Sequence, residues 1–275
     1  MRAPMPINLN KLKSVLKRGS RGVKGIKPNK AIELRYRKTL LSLVREIGAF
    51  NLKFIKSLDG LVKDSKFTDY NSLFDKQFSG RIDSLSKDYA EKYIGQSDAE
   101  HKKAFIREIN SKIGVNLTSI LRDNSNRVGR VVSHRIKENS DLIVSLAGDY
   151  KEQAREAIHQ TLINGDTSET LRSKLEHIDG VTESRAELIA RDQTQKVCSE
   201  LNGARQQDIG VTRYIWSGID DGRERDTHIE NNGKTFDWNS PPVETGHPGE
   251  DIQCRCTADP DLSNLLETLS NLPGE

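Results

Sequence analysis

The chain has 275 residues, of which 34% are hydrophobic, 5% aromatic and 30% charged, and its net charge is +3. No apolar run approaches the roughly 18 residues that a membrane span requires, and the basic N-terminus lacks the apolar segment of a secretory signal. These values argue against a membrane protein and leave room for two domains, or for one domain with an extended helical arm.

The N-terminal segment is strongly basic. Its first 32 residues hold nine cationic side chains and no acidic one, so the rest of the chain is slightly acidic. We predict a flexible arm over residues 1–28, which either binds a polyanion or remains a solvated tail. The nine candidate binding residues are Arg2, Lys11, Lys13, Lys17, Arg18, Arg21, Lys24, Lys27 and Lys30.

A single apolar stripe, spaced by three and four residues, predicts a long helix from about residue 29 to residue 58. The stripe consists of Tyr36, Leu40, Leu43, Ile47, Phe50, Phe54 and Leu58. Its length favours packing against another helix or another chain, and we expect it to be a docking surface for a partner protein.

The middle of the chain is also helical in pattern. A capping-box order at Ser97-Asp98-Ala99-Glu100 predicts a helix up to Gly114. Further helices are expected over residues 117–137 and 142–162, and a short one from a cap at Asp166 or Thr167 to residue 178. A last helix should cover residues 184–208, with Gly210 in a left-handed C-terminal cap.

After Gly210 the pattern changes. Alternating residues at 212–216 and 234–238 predict two strands separated by turn residues at 231–233, and residues 239–260 read as a loop. The fold class is therefore mainly α with a small C-terminal α+β module. We place a helical arm at residues 29–114, a C-terminal domain at 115–262 with its β-containing module at 211–260, and a tail at 263–275.

Two histidines and two cysteines fall within this module. His228, His247, Cys254 and Cys256 are the ligand types of a closed tetrahedral zinc site, which would stabilise a module with few apolar side chains. The spacing C-x-C differs from the usual zinc knuckle, however. The alternative is a histidine hydrogen-bonded in a loop beside two small buried thiols.

Acidic residues near His228 raise the possibility of catalysis. Asp221, Asp226 and His228 could serve a metal-dependent nuclease, although no HExxH motif, P-loop or G-x-S-x-G motif is present. Arg223 and Arg225 lie beside Asp221 and favour an ionic network that holds the loop. In the last helix, Arg191 and Thr194 share a face and are interpreted as a polar anchor between helix and strands.

The order of these motifs resembles the Mu F-like family of phage head morphogenesis proteins. The resemblance rests on Ala190-Arg191-Asp192-Gln193-Thr194, Tyr214-Ile215-Trp216, the segment from Asp221 to His228, Asn232-Gly233-Lys234-Thr235-Phe236, His247-Pro248 and Cys254-Arg255-Cys256. It covers about residues 115–260, which we interpret as a head morphogenesis domain. Glu224 departs from the family pattern, which usually has an apolar or small residue between the two arginines.

The resemblance implies a non-enzymatic minor capsid protein of a tailed phage. Such a protein lies inside the head near the portal vertex and aids procapsid assembly, DNA packaging or ejection. Its implied partners are the portal protein, a capsid or scaffolding protein and packaged double-stranded DNA, which the basic arm would bind without sequence specificity. The alternatives are a metal-dependent nuclease or other DNA-processing enzyme, and an assembly factor absent from mature particles.

Overall fold

The structure is a computed structural model, and it describes residues 22–58, 64–113 and 126–263. Four long helices come first: α1 (Lys30–Ser57), α2 (Asp64–Ile113), α3 (Asn126–Asn164) and α4 (Ser168–Asp208). They are followed by β1 (Arg213–Ser217), the short helix α5 (Asp226–Asn231), β2 (Thr235–Asp237) and β3 (Thr257–Asp261). The predicted fold class, mainly α with a small C-terminal α+β module, is confirmed. Among the described helices, none has both the length and the apolar character needed to cross a membrane.

The chain divides into two compact units that alternate along the sequence. A helical unit contains Lys30–Ile94 and His134–Gln193, and a mixed unit contains Met1–Asn29, Gly95–Ser133 and Thr194–Glu275. The unit boundaries fall inside α2, α3 and α4, whereas the sequence placed domain boundaries in linear order at residues 28 and 114. Most of the predicted tail at 263–275 lies outside the described residues.

The core of the helical unit includes the apolar stripe of α1. Leu40 and Ile47 are 0% exposed, and Tyr36 stacks on Tyr93 with ring centroids 3.9 Å apart. The Tyr36 hydroxyl also hydrogen-bonds to Asn139 at 3.0 Å. The helix is therefore confirmed, but the expectation that its stripe is a docking surface is wrong, because these side chains are buried within their own unit.

Three predicted helix breaks are absent. The capping-box order at Ser97 lies inside α2, which is continuous, and the predicted boundary near residues 178–184 lies inside α4. The glycines Gly80, Gly95 and Gly180 sit within these helices, where one glycine costs only about 1 kcal/mol relative to alanine. Burial of Phe78, Ile94 and Ala186 stabilises the continuous helices. Similarly, α3 continues through the predicted gap between residues 137 and 142.

The predicted helix ends are better matched. The Thr167 hydroxyl accepts a hydrogen bond from the Thr170 N–H at 3.2 Å, as an N-terminal cap does. Gly210 has a φ of 85°, which is the left-handed conformation expected after the last helix.

The mixed unit contains an antiparallel sheet of strand order β2-β1-β3. Tyr214 of β1 pairs with Phe236 of β2 and with Pro260 of β3. The two predicted strands are confirmed within a residue or two, but β3 lies where a loop was expected. Its sequence, Thr-Ala-Asp-Pro-Asp, has no apolar alternation, and its proline is tolerated because β3 is an edge strand.

The last residues of the predicted flexible arm are also held in the mixed unit. The Gly25 N–H donates to Asp259 at 2.8 Å, and the Ile26 N–H donates to Asn202 of α4 at 3.0 Å. Lys24 forms an ion pair with Asp259 at 2.8 Å. The prediction of a flexible arm is therefore wrong for residues 22–27, while residues 1–21 lie outside the described part of the chain.

The buried residue His101 contacts Asn202, which binds the backbone at Ile26. It also makes the stability of the folded state depend on pH. His101 hydrogen-bonds to Asn202 at 3.1 Å and to Arg205 at 3.1 Å, and Arg205 pairs with Asp98. Burial, and then the charge of Arg205, lower the pKa of His101 from 6.5 to about 3. The folded state therefore excludes a proton that the unfolded chain accepts.

We predict that His101 makes the protein less stable as the pH falls below 6.5 toward 3, by up to about 1.4 kcal/mol for each pH unit. His101→Gln keeps hydrogen-bonding groups for Asn202 and Arg205 but cannot titrate. Urea unfolding of this variant should depend less on pH in that window, and His134→Gln, at an exposed histidine, should behave like wild type. Equal pH dependence in wild type and His101→Gln would contradict this account.

Candidate metal centre

The small sheet, the helix α5 and the loop before β3 share one core in the mixed unit. Its buried members are Tyr214, Trp216, Trp238, Cys254, Cys256 and Ala258. Trp216 and Trp238 are both buried here. Within the described part of the chain this cluster has six buried members, with Phe236 packed against it, and polar and ionic contacts add to it.

His228 of α5 points at both thiols of the C-x-C motif. Its Nδ1 atom lies 3.6 Å from the Cys254 Sγ and 3.5 Å from the Cys256 Sγ. Its Nε2 atom donates to Asp251 at 2.9 Å. The imidazole is 3% exposed, and its ring lies edge-on to Trp216. These contacts fix the orientation of the ring. The ligand atoms of His228, Cys254 and Cys256 all lie within 4.8 Å of one another.

The backbone around Cys254 favours a thiolate. Cys254 Sγ accepts hydrogen bonds from the N–H groups of Gly249 at 3.3 Å and Cys256 at 3.4 Å. The Cys256 thiol, these two backbone N–H groups and His228 lower the pKa of Cys254 to about 6. The shared proton and burial raise the pKa of Cys256. The pair therefore holds one negative charge near neutral pH more readily than two isolated thiols would.

The loop that carries Cys254 has an unusual backbone. Gln253, the residue before it, has a φ of 57°, and Gly249 has a φ of 92°. A side-chain carbon added at Gly249 would lie 2.6 Å from Ser199 Cβ in α4. The Gln195 amide of α4 donates to the Cys256 carbonyl at 3.0 Å. The loop therefore packs closely on α4, and position 249, where the loop meets the helix, requires glycine.

The fourth predicted metal ligand, His247, lies elsewhere in the core. Its Nδ1 atom is hydrogen-bonded to the Tyr214 hydroxyl at 3.0 Å, and its ring packs on Trp238. Burial lowers the pKa of His247. The structure therefore brings together three of the four predicted ligands and gives His247 a packing role. Cys198 is buried in α4, and its thiol donates to the Ile26 carbonyl.

Glu224 lies next to Cys256 of the three-residue cluster. Its Oε1 atom is 3.6 Å from the Cys256 Sγ. The same carboxylate accepts hydrogen bonds from the N–H groups of Ile219 at 2.7 Å and Asp220 at 2.9 Å. Although partial burial acts in the opposite direction, these amides lower the pKa of Glu224. The residue that departs from the family pattern therefore lies beside the Cys256 thiol.

The ionic contacts of Asp221 differ from the predicted network, because its main partner is Arg255. Asp221 forms a two-pronged ion pair with Arg255, with distances of 2.5 and 2.7 Å, and a weaker contact with Arg223 at 3.2 Å. Arg255 holds the pKa of Asp221 well below its usual range. Arg225 instead bonds to the Ile252 carbonyl at 2.8 Å and lies 3.6 Å from Asp251. These contacts connect the loop at 221–225 with the segment that carries the cysteines.

The other predicted residues belong to α4 and to the basic N-terminal segment. Arg191 is exposed on α4 in the helical unit, whereas Thr194 is buried in the mixed unit. Of the three basic-arm residues that the structure describes, Lys24 pairs with Asp259, Lys30 pairs with Glu33, and Lys27 is exposed. Sequence reasoning missed Asp251 and Arg255. Their positions beside the C-x-C motif were a signal, but their partners depend on the loop conformation.

Comparison with known proteins identifies the same region. Residues 152–259 match the family described as Phage Mu protein F like protein, and this confirms the resemblance found in the sequence. The match supports a phage head morphogenesis protein, and proteins of this family are generally structural. It also suggests a location in the virion.

The chain is also similar to an uncharacterized protein of Haemophilus influenzae strain Rd. The two are 27% identical over 281 residues, which cover 98% of this chain and 62% of that protein. No solved structure matches the chain.

We predict that Gly249→Ala destabilises the protein more than Gly222→Ala does. Both glycines have positive φ, but nothing lies within 4 Å of a carbon added at Gly222, whereas Gly249 abuts Ser199. Left-handed backbone strain alone costs about 1–2 kcal/mol, and the clash in Gly249→Ala adds about 1–3 kcal/mol. Urea unfolding measures both values. Equal losses would show that contact with α4 does not constrain the loop.

Proposed function

We propose that this chain, which is Mu F-like over residues 152–259, is a minor head protein of a tailed phage. In this proposal it lies inside the capsid near the portal vertex, contacts the portal protein and a capsid or scaffolding protein, and aids procapsid assembly, DNA packaging or ejection. The family match supports the general assignment to phage heads, and the geometry of the C-terminal module supports a structural rather than catalytic role.

This choice rests on the partners of Asp221 and His228, two of the three residues that a nuclease would use. Both carboxylate oxygens of Asp221 are engaged by Arg255. Both ring nitrogens of His228 face partners, Asp251 on one side and the thiols on the other, and the ring is buried. A general base or a water-activating metal site needs a group that can reach substrate. The arrangement instead favours a rigid scaffold.

The assignment to the head predicts where the protein is found. Quantitative mass spectrometry of procapsids and mature particles of the encoding phage should detect this chain in a few copies per particle, in constant ratio to the portal protein. As a control, particles assembled without the gene should show no signal for this chain in the portal-associated fraction. Absence of the chain from both procapsids and mature particles would contradict the proposal.

The basic arm provides a second part of the proposal, which is non-specific contact with packaged DNA. The structure narrows the set of candidate DNA-binding residues, because Lys24 and Lys30 form ion pairs within the protein. The cationic residues before Gly22, together with Lys27, are the remaining candidates. Each phosphate contact contributes about 0.9 to the slope of log affinity against log salt concentration.

We therefore expect a variant with Gln at Arg2, Lys11, Lys13, Lys17, Arg18 and Arg21 to bind duplex DNA far more weakly, with a salt slope lower by several units. Lys24→Gln is the matched control, and it should leave the slope nearly unchanged because Lys24 is paired with Asp259. Fluorescence anisotropy at several salt concentrations measures both. An unchanged slope in the six-residue variant would refute the DNA contact, without affecting the assignment to the head.

A further inference from the structure

We propose that His228, Cys254 and Cys256 bind one zinc ion and that the Glu224 carboxylate supplies its fourth ligand. The proposal is independent of the role in the phage head. It rests on the distances among these side chains, on the groups that orient them and on the chemistry of the donor set.

The distances fit a shared metal. With zinc about 2.3 Å from a thiolate sulfur and about 2.0–2.1 Å from an imidazole nitrogen, tetrahedral angles place sulfur and nitrogen about 3.6 Å apart. The His228 Nδ1 atom lies 3.6 and 3.5 Å from the two sulfurs. A hydrogen bond would join this nitrogen to one thiol at a time, whereas a metal ion accounts for the equal approach of both.

The surroundings orient the ligands as metal sites require. The hydrogen bond from His228 Nε2 to Asp251 leaves the Nδ1 lone pair directed at the thiols. A carboxylate on the far side of a ligating histidine is a recurrent feature of zinc sites, where it fixes the tautomer. The two backbone N–H groups on Cys254 Sγ stabilise a thiolate, which is the form that binds metal.

Glu224 supplies the carboxylate next to Cys256. Its Oε1 atom lies 3.6 Å from Cys256 Sγ, the separation expected of neighbouring tetrahedral ligands. The amides of Ile219 and Asp220 hold the carboxylate in place, and Gly218 makes room for it, since an added side-chain carbon would lie 2.7 Å from Oε1. Two thiolates, an imidazole and a carboxylate form a donor set that suits zinc.

The first test is the zinc content of the full-length chain, purified without chelators and without metal-affinity resin. Inductively coupled plasma mass spectrometry should find about one zinc per chain in wild type and in the control variants His247→Gln and Cys198→Ser. His228→Gln and Cys254→Ser should each lose most of the zinc. A wild-type chain that is empty and does not take up added zinc would overturn the proposal, as would loss of zinc in His247→Gln with retention in His228→Gln.

The second test does not depend on the folding of ligand variants. Cobalt titrated into wild type should produce the charge-transfer absorption of two bound thiolates, and competition with a chromophoric chelator gives the zinc affinity. Glu224→Gln, at a partly exposed position, should fold normally and weaken zinc binding at least tenfold. Unchanged affinity in this variant would refute Glu224 as the fourth ligand, and absence of the thiolate band would refute the site as a whole.

Discussion

The approach of His228 to Cys254 and Cys256 is the constraint on which the C-terminal module depends. It joins the short helix α5 to the segment that leads into β3, and these elements have few apolar residues to hold them together. Asp251 fixes the imidazole from behind, and Arg225 lies beside Asp251. The ion pair between Asp221 and Arg255 joins the same two segments at the surface. Polar contacts centred on one buried histidine thus add to the small apolar core of the module, as expected where such a core cannot stabilise a fold alone.

Much of the fold follows from the sequence, because helices and short strands leave periodic patterns of burial. The stripe that contains Leu40 and Ile47 predicts α1, and the alternation around Trp216 predicts β1. The function of a stripe does not follow, because burial against the same chain and burial against a partner leave the same pattern. Strand β3 leaves no such pattern. Asp259 accepts a hydrogen bond from the Gly25 N–H, and Pro260 is tolerated only because the strand lies at an edge of the sheet. Its existence depends on contacts with distant residues.

For the candidate site too, part of the arrangement follows from the sequence and part depends on the folded structure. Residue type identified His228, Cys254 and Cys256, but it could not separate His228 from His247, because both histidines lie in the same module. In the structure His228 is buried and His247 is half-buried. The difference arises from α5, which turns His228 toward the thiols, whereas His247 is hydrogen-bonded to Tyr214. Glu224, Asp251 and Arg255 acquire their roles from loop geometry, including the left-handed backbone at Gln253. In a head protein, such a rigid module would present a fixed surface during assembly, while the basic residues near the N-terminus are candidates for contact with DNA.

The most direct test of the proposed zinc site is X-ray absorption at the zinc edge, measured on the purified full-length protein. The account predicts about two sulfur neighbours near 2.3 Å and about two nitrogen or oxygen neighbours near 2.0–2.1 Å. A spectrum with nitrogen and oxygen neighbours alone would contradict it, because zinc would then lie away from Cys254 and Cys256.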